Sequence, residues 1–494
     1  MKNLHNTKSP KIVGIASGLY PFLYNYYSNF TLVDSLAQLL FFIAFFLVIP
    51  IIINFLLKIF SKKITFAAKH YDLLLTFSNV VGFAALLTYS IIGPVKKIIL
   101  LVMILMFGFS FLLKKHLNKV IILEYILALI VAIQLAVYVG NNINLSSGWK
   151  QLPDNISEVT FKKRPNVYII QPDGYGNANT LKSEPYHIDN SNFESFLIEK
   201  DFKIYPNFRS NYTNTITSNS SMFAMKHHYY KNPKGNTKEA YGLRKSIASN
   251  NVVVSVFNKN NYKTSLIIEF PYIIVNRPTL GYDYCSIPYK ELSFLSRGFD
   301  MAVNSLDEMK KAIKENKNQA NFYFIEKILP GHISVTKNQS KGKEEERKVY
   351  VENFEKANLW LREMIALITK NDPSALVVIV ADHGGYVGLN YTSERHKKIT
   401  DPKLINSIFA STLAIKWPDN ETPRFDDKLK TNVNLFRVLF SYLAEDKTYL
   451  NNYEKDESFL IVDEDAPFGV YKVIDENGKV DFKKVDFLVL FSNF

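Results

Sequence analysis

The chain has 494 residues, enough for more than one domain, and a single cysteine, Cys285, which excludes an internal disulfide framework and a metal site built on several thiolates. Its formal charge is +13, but much of the excess sits in short loops between apolar runs, so no nucleic-acid partner is expected. The mean hydropathy of -0.03 hides a division: apolar runs dominate up to residue 145, and the remainder is as polar as a water-soluble domain.

Apolar stretches lie at 12–30, 35–57, 72–95, 97–113 and 120–141. Most approach the roughly 20 residues that a helix needs to cross the hydrocarbon core. The second is free of charge, and the fifth carries one acidic residue, Glu124. The first contains Gly and Pro but no small-residue cleavage pattern, and reads as a retained anchor. Lys2, Lys8 and Lys11 precede the first stretch, Lys58, Lys62, Lys63 and Lys69 follow the second, and Lys114, Lys115 and Lys119 follow the fourth. Positive residues collect on the cytoplasmic side, so the N-terminus is expected there. Five crossings then carry the rest of the chain to the periplasmic or extracellular face of a bacterial inner membrane. The helices would serve either as a plain anchor or as a holder for a lipid substrate.

A polar linker, 146–164, leads into Pro165-Asn-Val-Tyr-Ile-Ile-Gln-Pro-Asp173-Gly-Tyr-Gly176. A short apolar run closed by a Gly-rich turn predicts a buried strand ending in a loop. Ser374-Ala-Leu-Val-Val-Ile-Val-Ala-Asp382-His383-Gly-Gly385 repeats that pattern, and NYKTSLIIEF and NFYFIEKIL predict two more strands. Helical periodicity at 191–200, 303–315 and 345–370 separates them. This alternation predicts an α/β domain with a largely parallel sheet. The expected organisation is a transmembrane domain over 1–145, the linker, a catalytic domain over 165–445 and a C-terminal subdomain over 446–494. Ligands of such sheets bind beyond the carboxyl ends of the strands, where Asp173, Asp382 and His383 fall.

A carboxylate beside an imidazole at a strand end suits Zn²⁺ or Mn²⁺. The same pair also reads as a turn-capping Asp next to an ordinary His, and Asp173 as a turn residue before Gly. Between them runs Ser210-Asn-Tyr-Thr-Asn-Thr215-Ile-Thr217-Ser218-Asn-Ser220-Ser221, a hydroxyl-rich segment entering a helix. Such a segment is either a plain helix cap or an anion site, where a hydroxyl beside a divalent metal can ionise and attack phosphorus. His332 and His396 are candidates to touch a phosphoryl oxygen, or are surface histidines.

Strand-Asp173, Thr215-x-x-Ser218 and strand-Asp382-His383-Gly, in that order, resemble the sulfatase-like branch of the alkaline phosphatase superfamily. With the apolar N-terminal part, Leu329-Pro-Gly-His332 and Asn432-Val-Asn-Leu-Phe-Arg437, the chain is similar to lipoteichoic acid synthases and lipid A phosphoethanolamine transferases. The resemblance implies Asp173, Thr215, Asp382 and His383 as metal ligands, Thr215 as nucleophile, and His332, His396 and Ser218 as substrate-binding residues. It implies one divalent metal, Zn or Mn before Ca or Mg. Two departures narrow it. The segment Thr215-Ile-Thr-Ser-Asn lacks the C/S-x-P-S-R signature that sulfatases convert to formylglycine, and Gly174 stands where sulfatases carry a second Asp.

The function so implied is transfer of a phospholipid head-group phosphoryl unit, phosphoethanolamine or phosphoglycerol, to an envelope glycan or lipid through a phospho-threonine. The alternatives are a sulfatase-like or phosphodiesterase hydrolase of the same fold, and a non-catalytic envelope protein with a degenerate site.

Overall fold

The structure is a computed structural model that describes residues 9–143, 147–230, 241–296, 298, 300–316 and 319–485. It divides into two compact units. The first comprises the chain through 144 together with Val275–Arg277 and Tyr289–Asp300. The second comprises the remainder.

The first unit is a helical bundle. Its long helices are α1 (Pro10–Asn29), α2 (Leu36–Lys63), α3 (Tyr71–Ile92), α4 (Lys96–Leu113) and α5 (Leu117–Ile143). Helices α2 to α5 are long and apolar enough to cross a membrane, and the protein is a membrane protein on that ground. Helix α1, expected as a fifth span, is long enough but less apolar than the other four. The reason is its place in the bundle. Gly14, Ser17, Gly18, Pro21 and Asn25 are buried against neighbouring helices, not turned to lipid. A Cβ on Gly14 would lie 2.7 Å from Ile51 Cα, and one on Gly18 would lie 1.6 Å from the Phe46 carbonyl oxygen. This small-xxx-small pair lets two backbones touch, which is how helices associate where lipid supplies no hydrophobic drive. The touched carbonyl lies in a π-helical turn, Ala44–Val48, four residues before Pro50, which has no N–H to bond to it. Glu124 is buried within the bundle and accepts a 2.8 Å hydrogen bond from Asn79. The later segments of this unit are tied in by Gln38 donating to Val275 O, Tyr89 donating to Leu295 O, and Phe294 stacked on Phe41 at 4.6 Å.

The second unit is built on a seven-stranded sheet in the order β2-β7-β6-β1-β5-β3-β4. Its strands are β1 (Val167–Pro172), β2 (Phe202–Ile204), β3 (Lys263–Ile268), β4 (Tyr284–Cys285), β5 (Asn321–Lys327), β6 (Leu376–Val380) and β7 (Leu413–Lys416). β6, β1, β5, β3 and β4 run parallel; β7 is antiparallel to both β6 and β2. The central strands read as unbroken apolar runs because helices cover both faces of the sheet. On one face lie α6 (Ser191–Glu199), α9 (Ser305–Glu315), α10 (Lys343–Asn371) and α11 (Pro402–Phe409), in one core with Tyr168, Ile170, Tyr323 and Ile325. On the other lie α7 (Thr215–Ala224), α8 (Val252–Lys259) and α12 (Leu435–Ala444), marked by Phe223 on Phe324 at 4.9 Å and Phe257 on Phe322 at 4.1 Å. The four strands and three helices expected from the sequence are all present.

The C-terminal region forms a second sheet in the order β10-β9-β8, from β8 (Ser458–Val462), β9 (Gly469–Ile474) and β10 (Val480–Lys484). Leu460, Val462, Tyr471, Val473 and Ile474 join the main core, so this sheet belongs to the second unit. Residues 486–494 of the expected subdomain lie outside the described residues.

Candidate metal centre

Parallel strands bring their carboxyl ends to one edge, and there the loops after β1 and β6 meet. Asp173 follows β1, and Asp382 and His383 follow β6, its direct neighbour. All three are buried, and one potential ligand atom from each lies within 4.8 Å of the others. Asp382 Oδ1 accepts the N–H groups of Gly174 at 3.1 Å and His383 at 3.0 Å, which orients the carboxylate. Its Oδ2 is 3.3 Å from His383 Nε2. His383 Nδ1 is 2.8 Å from the Gly384 carbonyl, an acceptor only, so Nδ1 carries the proton and Nε2 presents a lone pair.

Thr215 opens α7, and its Oγ1 donates to Asp173 Oδ2 at 3.2 Å. The helix is capped by Asn214, whose Oδ1 accepts from Thr217 N at 3.0 Å. Thr215 is therefore not the cap: its hydroxyl is left for the carboxylates, at the helix end that favours negative charge. His332 stands one ring away, its centroid 5.9 Å from that of His383, and its Nδ1 donates to Ile333 O.

Two expected site residues are placed differently. Ser218 is fully buried and its hydroxyl donates to Tyr212 O at 3.0 Å, so it holds the loop entering α7 and is not turned toward a substrate. His396 is buried at the end of a 3-10 turn, Thr392–His396, and its carbonyl receives the N–H groups of Asp463 and Glu464.

Glycines set how closely the loops approach. Gly174 has φ +69°, and a Cβ there would lie 2.2 Å from the Gly331 carbonyl. A side chain at position 174 would have to displace the Gly331 loop. A Cβ on Gly384 would lie 2.2 Å from Ser407 O, and one on Gly385 2.1 Å from the Tyr350 ring. Asn432 Nδ2 clamps the strand end from the other side by donating to Ala381 O at 3.1 Å. Tyr386, which the sequence did not single out, lies with its ring 5.7 Å from that of His383 and donates its hydroxyl to Thr213 O.

Burial drives the Asp382 carboxyl above its ordinary range, and the nearby charge of Asp173 adds to the rise. Asp173 is raised by burial too, against the pull of His383 and the Thr215 hydrogen bond. Asp173 Oδ1 and Asp382 Oδ2 have no hydrogen-bond partner among the described residues. Two buried carboxylates with unpartnered oxygens, and a nitrogen lone pair beside them, fit a divalent cation.

Membrane-type helices and an α/β domain with an Asp/Asp/His centre thus define the class of protein. No family model matches the sequence, and no curated protein does. Solved structures similar to the chain include the zinc-bound C-terminal periplasmic domain of EptC from Escherichia coli (11% identity, 65% of this chain and 96% of that chain, TM-score 0.42). Others are the lipoteichoic acid synthase LtaP from Listeria monocytogenes (14%, 68% and 92%, 0.41) and the integral membrane lipooligosaccharide phosphoethanolamine transferase EptA from Neisseria meningitidis (11%, 78% and 77%, 0.39). These are the two kinds of protein that the sequence resembles. What the site does is decided by its own residues.

Proposed function

We propose that the protein transfers a phosphoryl-containing head group from a membrane phospholipid to an envelope glycan or lipid, with Thr215 carrying the group between the two. The observation that carries this reading is the Thr215 hydroxyl, freed from capping by Asn214 and held 3.2 Å from Asp173 Oδ2 beside Asp382 and His383. Asp173, Asp382 and His383, with Thr215 itself, would hold one divalent metal. The mixed oxygen and nitrogen donors favour Zn²⁺ or Mn²⁺. Bound there, the metal would supply Lewis-acid stabilisation of the phosphoryl oxygens and a lower pKa for the threonine hydroxyl.

Thr215 Oγ1 forms a bond to phosphorus while the bond from phosphorus to the diacylglycerol oxygen breaks. The proton released by Thr215 is balanced by one taken up by the leaving diacylglycerol. An acceptor hydroxyl then bonds to phosphorus, the bond from phosphorus to Thr215 Oγ1 breaks, and the proton lost by the acceptor is balanced by one taken up by Thr215, giving ping-pong behaviour. The first N–H groups of α7 would face the transferred group, and His332 would bind its oxygens. Five crossings, α1 included, would place this site on the outer face of a bacterial inner membrane, and the helices keep it near a donor that stays in the bilayer.

The test is to incubate the full-length protein in detergent with phosphatidylethanolamine or phosphatidylglycerol and metal, then weigh the peptide containing Thr215. A head-group mass on Thr215, kept in Thr215→Ser and absent in Thr215→Ala, is expected. Turnover of the donor by Thr215→Ala at the wild-type rate would refute the reading.

A further inference from the structure

A cavity of about 640 Å³ opens along the same edge of the sheet as the metal centre, and the attack by Thr215 on the donor does not use it. Its place follows from strand direction. β2 is antiparallel to β7, and β7 to β6, so β2 runs the same way as β6 and β1. Residues 205–209 leave the carboxyl end of β2, and residues 406–410 lead into the amino end of β7. Both segments therefore lie at the edge that carries Asp173 and Asp382. Residues 426–430 and the turn between β9 and β10 complete the lining. In the order β2-β7-β6-β1, the cavity stands about two strand spacings, roughly 10 Å, from the metal centre.

Arg209 ties these segments together. Its backbone N–H donates to Lys430 O at 3.1 Å, and its Nη2 donates to the carbonyls of Asp456 and Asp475. Its Nη1 stands beside Gly478, where a Cβ would lie 3.6 Å away, and makes no hydrogen bond to another described residue. Five residues of chain separate Arg209 from Thr215.

The side chains around Arg209 define what the cavity can hold. Asn406 on α11, Asp427, Lys430, Glu476 and Asn477 line it, and their side chains have no hydrogen-bond or ion-pair partner among the described residues. Asp426 is already paired, with Lys203 and with the Tyr205 hydroxyl at 2.9 Å. Two cations, two carboxylates and two amides are left to meet a ligand, so the free charges cancel. A phosphate would face the carboxylates, and a metal ion would face Arg209 and Lys430. An acyl chain would need apolar walls. An uncharged sugar suits this lining. Each of its hydroxyls both donates and accepts, and the amides, carboxylates and cations supply both kinds of partner. The volume falls within the roughly 300–1,000 Å³ of small-ligand sites.

On the basis of the transfer reading above, we propose that this cavity is the acceptor subsite and takes an uncharged carbohydrate. The acceptor is then recognised by its sugar chain and not by an acyl chain. A glycan seated there reaches Thr215 only by extending along the sheet edge, which requires an oligosaccharide rather than a single sugar.

The experiment applies the full-length protein in detergent to a panel of immobilised neutral, acidic and phosphorylated oligosaccharides, and measures the affinity of the neutral ones by calorimetry. Binding of neutral oligosaccharides is expected. The double variant Asn406→Ala/Asn477→Ala and the single variant Asp427→Ala change exposed positions that the fold does not need, and each should weaken that binding at least tenfold. No binding, binding confined to acidic or phosphorylated sugars, or wild-type affinity in both variants overturns the proposal. The head-group mass on Thr215, measured without any glycan present, tests the transfer reading separately. An adduct without glycan binding removes the carbohydrate subsite and leaves the transfer reading standing. Glycan binding without an adduct overturns the transfer reading and leaves a carbohydrate site.

Discussion

Cys285 shows how far a single residue can be argued. It lies on β4, and burial pushes its thiol up to about 11. The thiolate is the nucleophile, and a raised pKa means that the proton stays on. At pH 8 about one molecule in a thousand would carry a thiolate there. Alkylation of the folded protein by iodoacetamide at pH 8 should therefore run about two hundred times slower than for a free cysteine, rising tenfold per pH unit until near pH 11. Rapid labelling at pH 8 would contradict the burial. No C/S-x-P-S-R signature surrounds this cysteine in the sequence, but its half-buried place on β4 needed the structure. The same split holds for Thr215. Its position in a hydroxyl-rich helix entry was legible, but whether it capped the helix or faced the carboxylates was not. Asn214 decided that, by taking Thr217 N and releasing the neighbouring hydroxyl.

At the scale of elements, the segment Asn432–Arg437 explains why a stretch without obvious chemistry accompanies the site. Asn432 holds the end of β6, Asn434 accepts Glu454 N through its Oδ1, and Arg437 lies buried in α12. Arg437 Nη1 is 2.6 Å from Asp154 Oδ2 and donates to Tyr449 O at 2.7 Å. A buried pair contributes little net stability against an apolar replacement, but losing one partner strands a charge. Asp154→Ala should thus destabilise the second unit by about 3–5 kcal/mol. Arg437→Met, which keeps the bulk and leaves unpaired only the more exposed Asp154 carboxylate, still bonded to Asn452, should cost much less. Thermal unfolding of the two variants side by side checks this, and an Arg437→Met loss as large as that of Asp154→Ala would refute it. Regular elements were legible where both sheet faces are covered, since β1, β3, β5 and β6 each contain a short apolar run. The short strands β2 and β7 were not. Phe202–Ile204 and Leu413–Lys416 are three and four residues long, and such short runs acquire strand character only by pairing with each other and with β6.

At the scale of the whole chain, the number of crossings decides on which face of the membrane the second unit lies. Four helices are apolar enough by themselves. Helix α1 is long enough to cross, at 20 residues, and its small and polar residues are buried within the bundle. Its crossing is tested in a Cys285→Ser background with single cysteines at Ser9, ahead of α1, and at Asn420. A membrane-impermeant thiol reagent should label Asn420→Cys in intact spheroplasts and Ser9→Cys only after permeabilisation. Labelling of both positions from one side would remove α1 from the spans. The apolar runs, the loop lysines, the strand–helix alternation and the strand-end Asp173, Asp382 and His383 were determined by the sequence alone, because hydrophobic periodicity and turn chemistry are local properties of the chain. Tertiary structure alone decided the rest: that α1 lies inside the bundle, that Ser218 is turned inward, and that Gly174 packs against the Gly331 carbonyl. Each depends on which distant residue comes to lie opposite, and sheet register and helix packing set that across separations of up to about two hundred residues, beyond the reach of any local pattern.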